Sequence, residues 1–226
     1  MFSERASVNI LSLLMPNRTK HQSKAQHSGQ SVKSKHRQSK PAGSVRIVAG
    51  QWRGRKIPVL HADGLRPTGD RVRETVFNWL QTDVPGSRCL DLFAGSGALG
   101  LEAASRGAAS VTLVESSSEV AVQLKKNLVD LQAGQRVQLH NVSANAFLAL
   151  NPEPFDLVFV DPPFDLQLHL STVEQLVPDF LAPDGLIYLE LPTEELSLIQ
   201  ELSARLDVVK EKHFGDVTVF LLHLNG

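Results

Sequence analysis

Cysteine is nearly absent from this chain of 226 residues, and no long apolar run interrupts it. The single cysteine, Cys89, excludes an internal disulfide, and its place in an apolar run indicates a buried structural thiol. No stretch of 18 apolar residues occurs, so we expect no membrane-spanning helix. Residues 8–15 form a short apolar run without a small-residue cleavage site after it, and we therefore expect a cytoplasmic protein. The histidines of the first 44 residues lack ligand-like spacing, and we predict no metal site.

Charge is distributed unevenly along the chain, although its net value is only −1. Residues 1–44 carry eight Lys or Arg and one acid, residues 45–73 carry seven against two, and residues 74–226 carry eight against 21. A basic front on an acidic body is typical of a protein that contacts a polyanion from one end. Nucleic acid is the polyanion that we favour, and a solvated tail without a partner is the alternative.

The N-terminal segment has the composition of a disordered chain. Residues 17–44 are rich in Ser, Gln, His, Lys and Arg and almost free of large apolar side chains. Such a segment cannot bury enough surface to offset the entropy of ordering, so we predict a disordered basic tail over residues 1–44. Order is expected from Val45 onward, in a single domain that comprises a hairpin over residues 45–64 and a core over residues 65–226.

Two short strand patterns, Arg46–Gly50 and Arg55–Leu60, predict a small basic hairpin at the start of the domain. Its basic and aromatic residues could grip RNA, or its Trp52 could instead pack the hairpin on the main domain. A helix capped by Thr68 or Asp70 is predicted next, and cations around its start oppose the helix dipole, which favours a phosphate-binding role. The candidate RNA-binding residues are Arg46, Trp52, Arg53, Arg55, Lys56, Arg71 and Arg73.

From residue 87 onward, strand and helix patterns alternate. Strands are expected near residues 87–92, 110–115, 136–140, 155–160 and 184–190, and helices near 97–106, 118–132, 144–150, 167–181 and 193–204. This rhythm predicts an α/β fold with a parallel sheet covered by helices on both faces. Two further strand patterns on either side of residues 213–216 predict a C-terminal hairpin, which adds an antiparallel edge to the sheet.

The stretch from Cys89 to Gly100 reads as a strand, a glycine-rich turn and the start of a helix, the usual entry to a nucleotide-type cofactor site. Gly95, Gly97 and Gly100 have the spacing of a dinucleotide fingerprint. Asp91, however, ends the strand four residues before Gly95. A carboxylate there would repel a pyrophosphate and suit a cation such as the α-ammonium of S-adenosylmethionine, unless its role is to cap the turn.

Two polar residues follow the next strands. Glu115 ends the second strand, 20 residues after Gly95, where a carboxylate can accept hydrogen bonds from both ribose hydroxyls of an adenosyl group. Because NAD and S-adenosylmethionine share that group, Glu115 does not distinguish them. Asn145 follows the third strand and could bind an adenine amino group or serve the start of a helix.

The apolar strand Phe155–Val160 runs into Asp161-Pro162-Pro163-Phe164, a rigid turn at the sheet edge where ligands of such folds bind. Asp161 and the Pro162 carbonyl can accept the two hydrogens of an exocyclic amine, while Phe164 stacks on the base. Acceptors placed out of the base plane favour a tetrahedral nitrogen that can attack a sulfonium methyl in line, so catalysis would rest on positioning and electrostatics. A base inside a duplex is out of reach, so the target must be single-stranded or flipped.

Four segments together resemble the bacterial 16S rRNA (guanine-N2)-methyltransferases of the RsmD type, within the S-adenosylmethionine-dependent methyltransferases with a seven-stranded sheet. The resemblance covers residues 45–224, and its first two segments are much more specific than the last two. The segments are Arg46–Gly50 with Trp52–Arg55, Leu65–Thr68 with Asp70–Glu74, Leu90–Gly100, and Phe159–Phe164.

The resemblance implies a Rossmann-like fold, S-adenosylmethionine as cofactor, and N2-methylation of one guanine in 16S rRNA of an assembled or partly assembled small ribosomal subunit. It implies that the base is bound by the catalytic residues Asp161, Pro162, Pro163 and Phe164. The implied cofactor-binding residues are Asp91, Phe93, Ala94, Gly95, Gly97, Glu115, Asn145 and Ala146, with Arg66 and Thr68 beside the site. Asn145 departs from the wider pattern, in which an acid is more usual.

Three alternative functions remain open at the level of the sequence. Another amino-methyltransferase, acting on adenine in DNA or RNA or on protein glutamine, would share the Asp161–Phe164 turn, although the basic hairpin argues against it. A nicotinamide enzyme is disfavoured by Asp91 and by the lack of a catalytic substrate domain. A non-enzymatic RNA-binding protein would leave the Asp161 turn unexplained.

Overall fold

The computed structural model describes residues 41–60 and 69–225 of the chain. Its strands are β1 (Pro41–Arg46), β2 (Lys56–Leu60), β3 (Arg88–Asp91), β4 (Ser110–Val114), β5 (Val137–His140), β6 (Phe155–Val160), β7 (Leu181–Pro192), β8 (Leu206–Phe214) and β9 (Val217–Leu224). Its α-helices are α1 (Asp70–Trp79), α2 (Ala98–Ser105), α3 (Ser118–Asp130), α4 (Ala144–Leu148), α5 (His169–Asp179) and α6 (Leu198–Leu202). The predicted succession of elements from residue 87 onward is therefore present.

A seven-stranded sheet forms the body of the domain, with the strand order β5-β4-β3-β6-β7-β9-β8. The strands from β5 to β7 in this order are parallel to one another, whereas β9 is antiparallel to both β7 and β8. This confirms the prediction of a mostly parallel sheet with an antiparallel C-terminal hairpin. The second strand of that hairpin, rather than the first, lies next to β7, so β8 forms the edge.

Apolar layers cover both faces of the sheet because successive strand residues point to opposite sides. Cys89 of β3 packs in the layer with α1, α2 and α3, whereas its neighbour Leu90 packs in the layer with α4, α5 and α6. Each fully buried Leu, Val or Phe of these layers contributes about 1.5–3 kcal/mol of transfer free energy. The Cys89 thiol is buried, as expected of a structural cysteine, and this burial raises its pKa to about 12. Within the described ranges, no helix is long and apolar enough to cross a membrane.

Glu102 of α2 attaches the N-terminal hairpin to the main sheet. Its carboxylate is fully buried and accepts hydrogen bonds from the backbone N–H groups of Val48, at 2.7 Å, and Ala49, at 3.0 Å. The guanidinium of Arg106 donates to it at 2.7 Å, and that of Arg73 at 3.4 Å. Two cations thus offset the free-energy cost of burying the carboxylate, which would be strongly destabilising if the charge were unpaired.

The structure contradicts two of the predicted RNA contacts. Arg73 is fully buried, and its guanidinium donates to Asp70 at 2.6 Å and to the carbonyl of Arg46 at 2.8 Å. Trp52 is only 4% exposed and packs in the core beside α2, where its backbone N–H donates to the Ser105 hydroxyl at 2.9 Å. The prediction that these two side chains bind RNA is wrong, because Trp52 of the hairpin packs in the core and Arg73 of α1 is buried in ion pairs with Asp70 and Glu102.

The first hairpin strand differs from its predicted position. β1 begins at Pro41 and ends at Arg46, so the predicted disorder is wrong for residues 41–44, whose backbone pairs with β2. The predicted strand residues Val48 and Ala49 leave the ladder because their N–H groups donate to Glu102 instead of to a neighbouring strand. Residues 1–40 of the predicted tail lie outside the described part of the chain.

Replacement of Gly50 by alanine tests how closely the hairpin lies against α2. Gly50 has φ +79°, and an added Cβ would lie 1.9 Å from the carbonyl oxygen of Ser105. Gly54 has a similar φ of +82° but no heavy atom within 4 Å of an added Cβ, which makes Gly54→Ala a matched control. We expect Gly54→Ala to lower the free energy of unfolding by about 1–2 kcal/mol, the cost of a left-handed backbone. Gly50→Ala should lower it by about 2 kcal/mol more, because the docked segment must move.

Urea denaturation of the two variants and the unmodified protein measures both losses. Equal losses of stability in Gly50→Ala and Gly54→Ala would contradict the close contact between the hairpin and α2.

Candidate functional site

A cleft of about 610 Å³ opens at the carboxyl ends of the parallel strands. The chain leaves β3 toward β4 on one side and reaches β6 on the other, so β3 and β6 flank the point at which the strand order reverses. Open α/β sheets bind ligands in the crevice at such a point. The cleft is lined by Asp91 at the end of β3, Glu115 after β4, Asp161 after β6 and Glu190 in β7, among others.

The glycine-rich turn between β3 and α2 forms one wall of the cleft. Gly95 and Gly97 have φ angles of +50° and +78°, which residues with a Cβ rarely adopt. An added Cβ on Gly100 would lie 2.3 Å from Leu113 and 3.1 Å from the Asp91 carboxylate. The first two glycines therefore shape the turn, and the third lets α2 pack closely on the sheet.

Asp91 combines a structural contact with a place on the cleft wall. Its side chain is almost completely buried, and its carboxylate accepts a hydrogen bond from the backbone N–H of Gly100 at 2.9 Å. The pKa of Asp91 is raised to about 7, chiefly by burial; the Gly100 hydrogen bond opposes this rise, and the nearby Glu115 charge adds to it. A cation bound beside this carboxylate would favour its ionised form.

Glu115 ties the end of β4 to the glycine-rich turn. Its carboxylate accepts hydrogen bonds from the backbone N–H groups of Gly95, at 2.9 Å, and Ser117, at 2.6 Å. Burial raises the pKa of Glu115, and backbone hydrogen bonds from Ser117, Gly95 and Ser116 oppose that rise. Because a carboxylate oxygen can accept more than one hydrogen bond, Glu115 can hold the turn and still serve ribose hydroxyls.

The turn after β6 forms the opposite wall of the cleft. Pro162 is buried, whereas Asp161, Pro163 and Phe164 are half-buried, and all four residues line the cleft. The Phe164 ring lies 5.8 Å from the ring of His169, centroid to centroid. A carboxylate, a proline-fixed backbone and an aromatic ring thus face the same space as the glycine-rich turn.

The remaining predicted cofactor residues differ in where the structure places them. Phe93, Ala94 and Asn145 line the cleft, whereas Gly97 and Ala146 do not. The backbone N–H of Ala146 donates to the Ser143 hydroxyl at 3.2 Å, at the start of α4. Arg66 and Thr68 lie outside the described residues.

Five of the predicted RNA-binding residues are exposed and lie outside the cleft lining. Arg46 pairs with Asp70 at 3.3 Å, and the guanidinium of Arg55 donates to the carbonyl of Asp130 at 2.8 Å. Arg71 is exposed at the start of α1, and its neighbour in sequence, Val72, lines the cleft. The five are Arg46, Arg53, Arg55, Lys56 and Arg71.

Several residues that line the cleft were not predicted from the sequence. Glu190 is a lone carboxylate within the apolar run Leu186–Leu191, and that break in the pattern was the available signal. Phe214 and Val217 reach the cleft from the C-terminal hairpin, and Val142 and Ser143 from the connection after β5. Nothing in their local sequence indicates that position, because it depends on the order of the strands.

Comparison with known proteins finds close relatives along most of the chain. The family described as Conserved hypothetical protein 95 matches residues 45–223. The chain is 48% identical over 177 residues to ribosomal RNA small subunit methyltransferase D of Escherichia coli K12, covering 78% of this chain and 88% of that protein. It is 47% identical over 180 residues to the protein of the same name from Haemophilus influenzae, covering 78% and 92%.

The fold is also found among solved structures. A putative methyltransferase from Escherichia coli superimposes with a TM-score of 0.72 at 46% sequence identity, and the match covers 81% of this chain and 99% of that one.

Substitution of Asp91 tests the electrostatics of the buried cleft wall. The pKa of Asp91 is about 7 in the folded protein, against an ordinary value of 3.8 that applies to the unfolded chain. At a pH between these two values, the folded state therefore keeps a proton on Asp91 that the unfolded state has lost. Stability from this group is therefore lost as the pH rises from about 4 to about 7. Asp91→Asn keeps an acceptor for Gly100 and cannot ionise, so its stability relative to the unmodified protein should increase over that range.

The free energy of unfolding of both proteins, measured by urea denaturation between about pH 4 and about pH 8, checks this. A difference between the two proteins that stays constant with pH would show that Asp91 is not held in its neutral form by burial.

Proposed function

The chain belongs to the Conserved hypothetical protein 95 family, the RsmD family of methyltransferases, and we therefore propose that it methylates small-subunit ribosomal RNA. The proposed methyl donor is S-adenosylmethionine, and the proposed acceptor is the exocyclic N2 amine of one guanine in 16S rRNA. One observation carries the proposal: the glycine-rich turn with its two carboxylates and the Asp161–Phe164 turn line the same cleft.

The chemistry of one end of the cleft fits S-adenosylmethionine. Asp91 and Glu115 are both buried carboxylates whose pKa values are raised chiefly by that burial, so a cationic ligand would relieve an unfavourable charge. The Asp91 carboxylate, four residues before Gly95, would also repel the pyrophosphate of NAD. We propose that Asp91 binds the α-ammonium and Glu115 the ribose hydroxyls, with the Gly95 turn close to the ligand. The bound donor supplies a methyl group on a positively charged sulfur.

The other end of the cleft fits an amine on a planar base. We propose that the Asp161 carboxylate and the Pro162 carbonyl accept the two N2 hydrogens, while Phe164 stacks on the ring. Acceptors on both hydrogens direct the nitrogen lone pair away from the ring and toward the donor end of the cleft. Transfer would form the N2–C bond as the S–C bond of the donor breaks, with its electron pair left on a neutral sulfur. The proton that N2 then loses would pass to the Asp161 carboxylate, which already accepts its hydrogen bond. The protein thus contributes position and charge rather than a covalent intermediate.

The surface beside the cleft fits the proposed RNA substrate. Arg46, Arg53, Arg55, Lys56 and Arg71 are exposed cations, and we propose that they contact phosphates around the target guanine. The acidic cleft and the basic surface have separate tasks, since the cleft holds a cation and an amine while the surface holds the polyanion.

A transfer assay with identified products tests the proposed function. The full chain is incubated with methyl-labelled S-adenosylmethionine and with unmethylated small subunits, naked 16S rRNA or DNA, and the nucleosides are separated after digestion. We expect the label in N2-methylguanosine from the small-subunit RNA. Label in methyladenosine, in protein, or only in DNA would contradict the proposal.

Asp161→Asn tests the role of the turn in the same assay. We expect it to reduce transfer by at least about 100-fold, because a carboxylate acceptor in a closed site is lost, while binding of S-adenosylmethionine is retained. Asp165→Asn is the matched control, since Asp165 is exposed, lies four residues along the same segment and does not line the cleft. Full transfer by Asp161→Asn would refute the assigned role.

A further inference from the structure

Glu190 is a second carboxylate at the base-binding end of the cleft. It lies in β7, is only 9% exposed and lines the same cleft as Asp161. β6 and β7 are parallel neighbours in which Val160 pairs with Leu189, so Asp161 and Glu190 follow that pair on adjacent strands. The two carboxyl groups therefore come from neighbouring backbone positions at one edge of the sheet.

Tyr188 holds the Glu190 carboxylate in place. The Tyr188 hydroxyl donates a hydrogen bond to Glu190 Oε2 at 2.7 Å, and its ring is fully buried against Phe159, 5.9 Å away between centroids. Burial, and then the charges of Glu190 and Asp161, raise the pKa of Tyr188 well above its usual value. Tyr188 therefore remains a protonated donor, and a rigid core residue fixes the direction of the carboxylate.

We propose that Glu190 binds the N1–H of the target guanine, beside the N2 amine that Asp161 holds, and so selects guanine over adenine. This inference rests on the proposed function and identifies which base the cleft accepts. The Watson–Crick edge of guanine carries adjacent donors, N1–H and the N2 amine, and two neighbouring carboxylates supply matching acceptors. In adenine, N1 is an acceptor beside the amine, and its lone pair would face the Glu190 carboxylate.

The energetic setting supports a role in recognition. An ionisable group in an apolar strand is costly to bury. The hydrogen bond from Tyr188 does not require a carboxylate, because a neutral amide at position 190 could also accept it. A site that hydrogen-bonds one substrate donor strongly rejects an analogue that lacks it, because the buried acceptor is then left without its partner. Glu190 thus gives the cleft a means of discrimination that the Asp161–Phe164 turn, which accepts only the amine, does not have.

Replacement of the target guanine by 2,6-diaminopurine tests this contact. The analogue keeps the N2 amine that is methylated, but its N1 carries a lone pair instead of a hydrogen and its C6 an amine instead of the carbonyl. The part that Glu190 plays is therefore read from the change that a substitution at position 190 makes to the preference between the two bases. The substrates are small subunits reconstituted on 16S rRNA that is joined from segments, with guanine or the analogue at the methylated position. The unmodified protein should favour guanine by about 100-fold in kcat/KM.

Glu190→Gln should lower that preference at least about tenfold, because its amide can donate to N1 of the analogue and still accept from Tyr188. Glu194→Gln, the same change at an exposed residue outside the cleft lining, should leave the preference unchanged. The ratio between the two bases is the readout, since partial unfolding lowers both rates alike. Should Glu190→Gln not fold, Tyr188→Phe keeps the buried ring, removes the hydroxyl that orients Glu190, and should lower the same ratio by a smaller factor.

The outcomes separate this inference from the proposed function. If the unmodified protein methylates guanine N2 but accepts the analogue equally well, or if Glu190→Gln keeps the full preference, the role of Glu190 is refuted while the activity stands. If the unmodified protein transfers no methyl group to guanine N2, the proposed function itself fails.

Discussion

The hydrogen bond from the backbone of Gly100 to the Asp91 carboxylate seats α2 against the end of β3, and much of the molecule depends on that position. No side chain fits at Gly100, because Leu113 and Asp91 already occupy the space. At its amino end, α2 begins with the glycine-rich turn that shapes the cleft. Farther along α2, the buried Glu102 carboxylate accepts hydrogen bonds from the backbone N–H groups of Val48 and Ala49, and these bonds hold the N-terminal hairpin against the helix. One helix therefore positions both the glycine-rich wall of the cleft and the hairpin that carries exposed cations.

Charge is arranged in two zones around the cleft. Its lining includes four carboxylates, at Asp91, Glu115, Asp161 and Glu190, which suit a cationic donor and the hydrogen-bond donors of a base. The cations that suit RNA phosphates lie outside, on the hairpin and at the start of α1. If the chain acts as proposed, this separation lets an acidic domain act on a polyanion, since only the flipped or unpaired base has to enter the acidic space.

Local patterns predicted the sheet, the glycine-rich turn and the Asp161–Phe164 turn, because strand periodicity and the residue types of tight turns depend only on residues that are close in sequence. Trp52 and Arg73 were misread as RNA contacts. Their composition resembles a binding patch, but their burial depends on Glu102 and Ser105 of α2, which are distant in sequence. Glu190 was missed for the same kind of reason, since its proximity to Asp161 follows from strand order and register. Arg66, Thr68 and residues 1–40 lie outside the described part, and their roles stay predictions.

The glycine-rich turn with its two carboxylates is proposed to bind a cationic adenosyl donor and not a dinucleotide. Calorimetric titration of the full chain with S-adenosylmethionine, and separately with NAD, tests it most directly. We expect saturable binding of S-adenosylmethionine, with one ligand per chain, and no binding of NAD. Binding of NAD without binding of S-adenosylmethionine would contradict it.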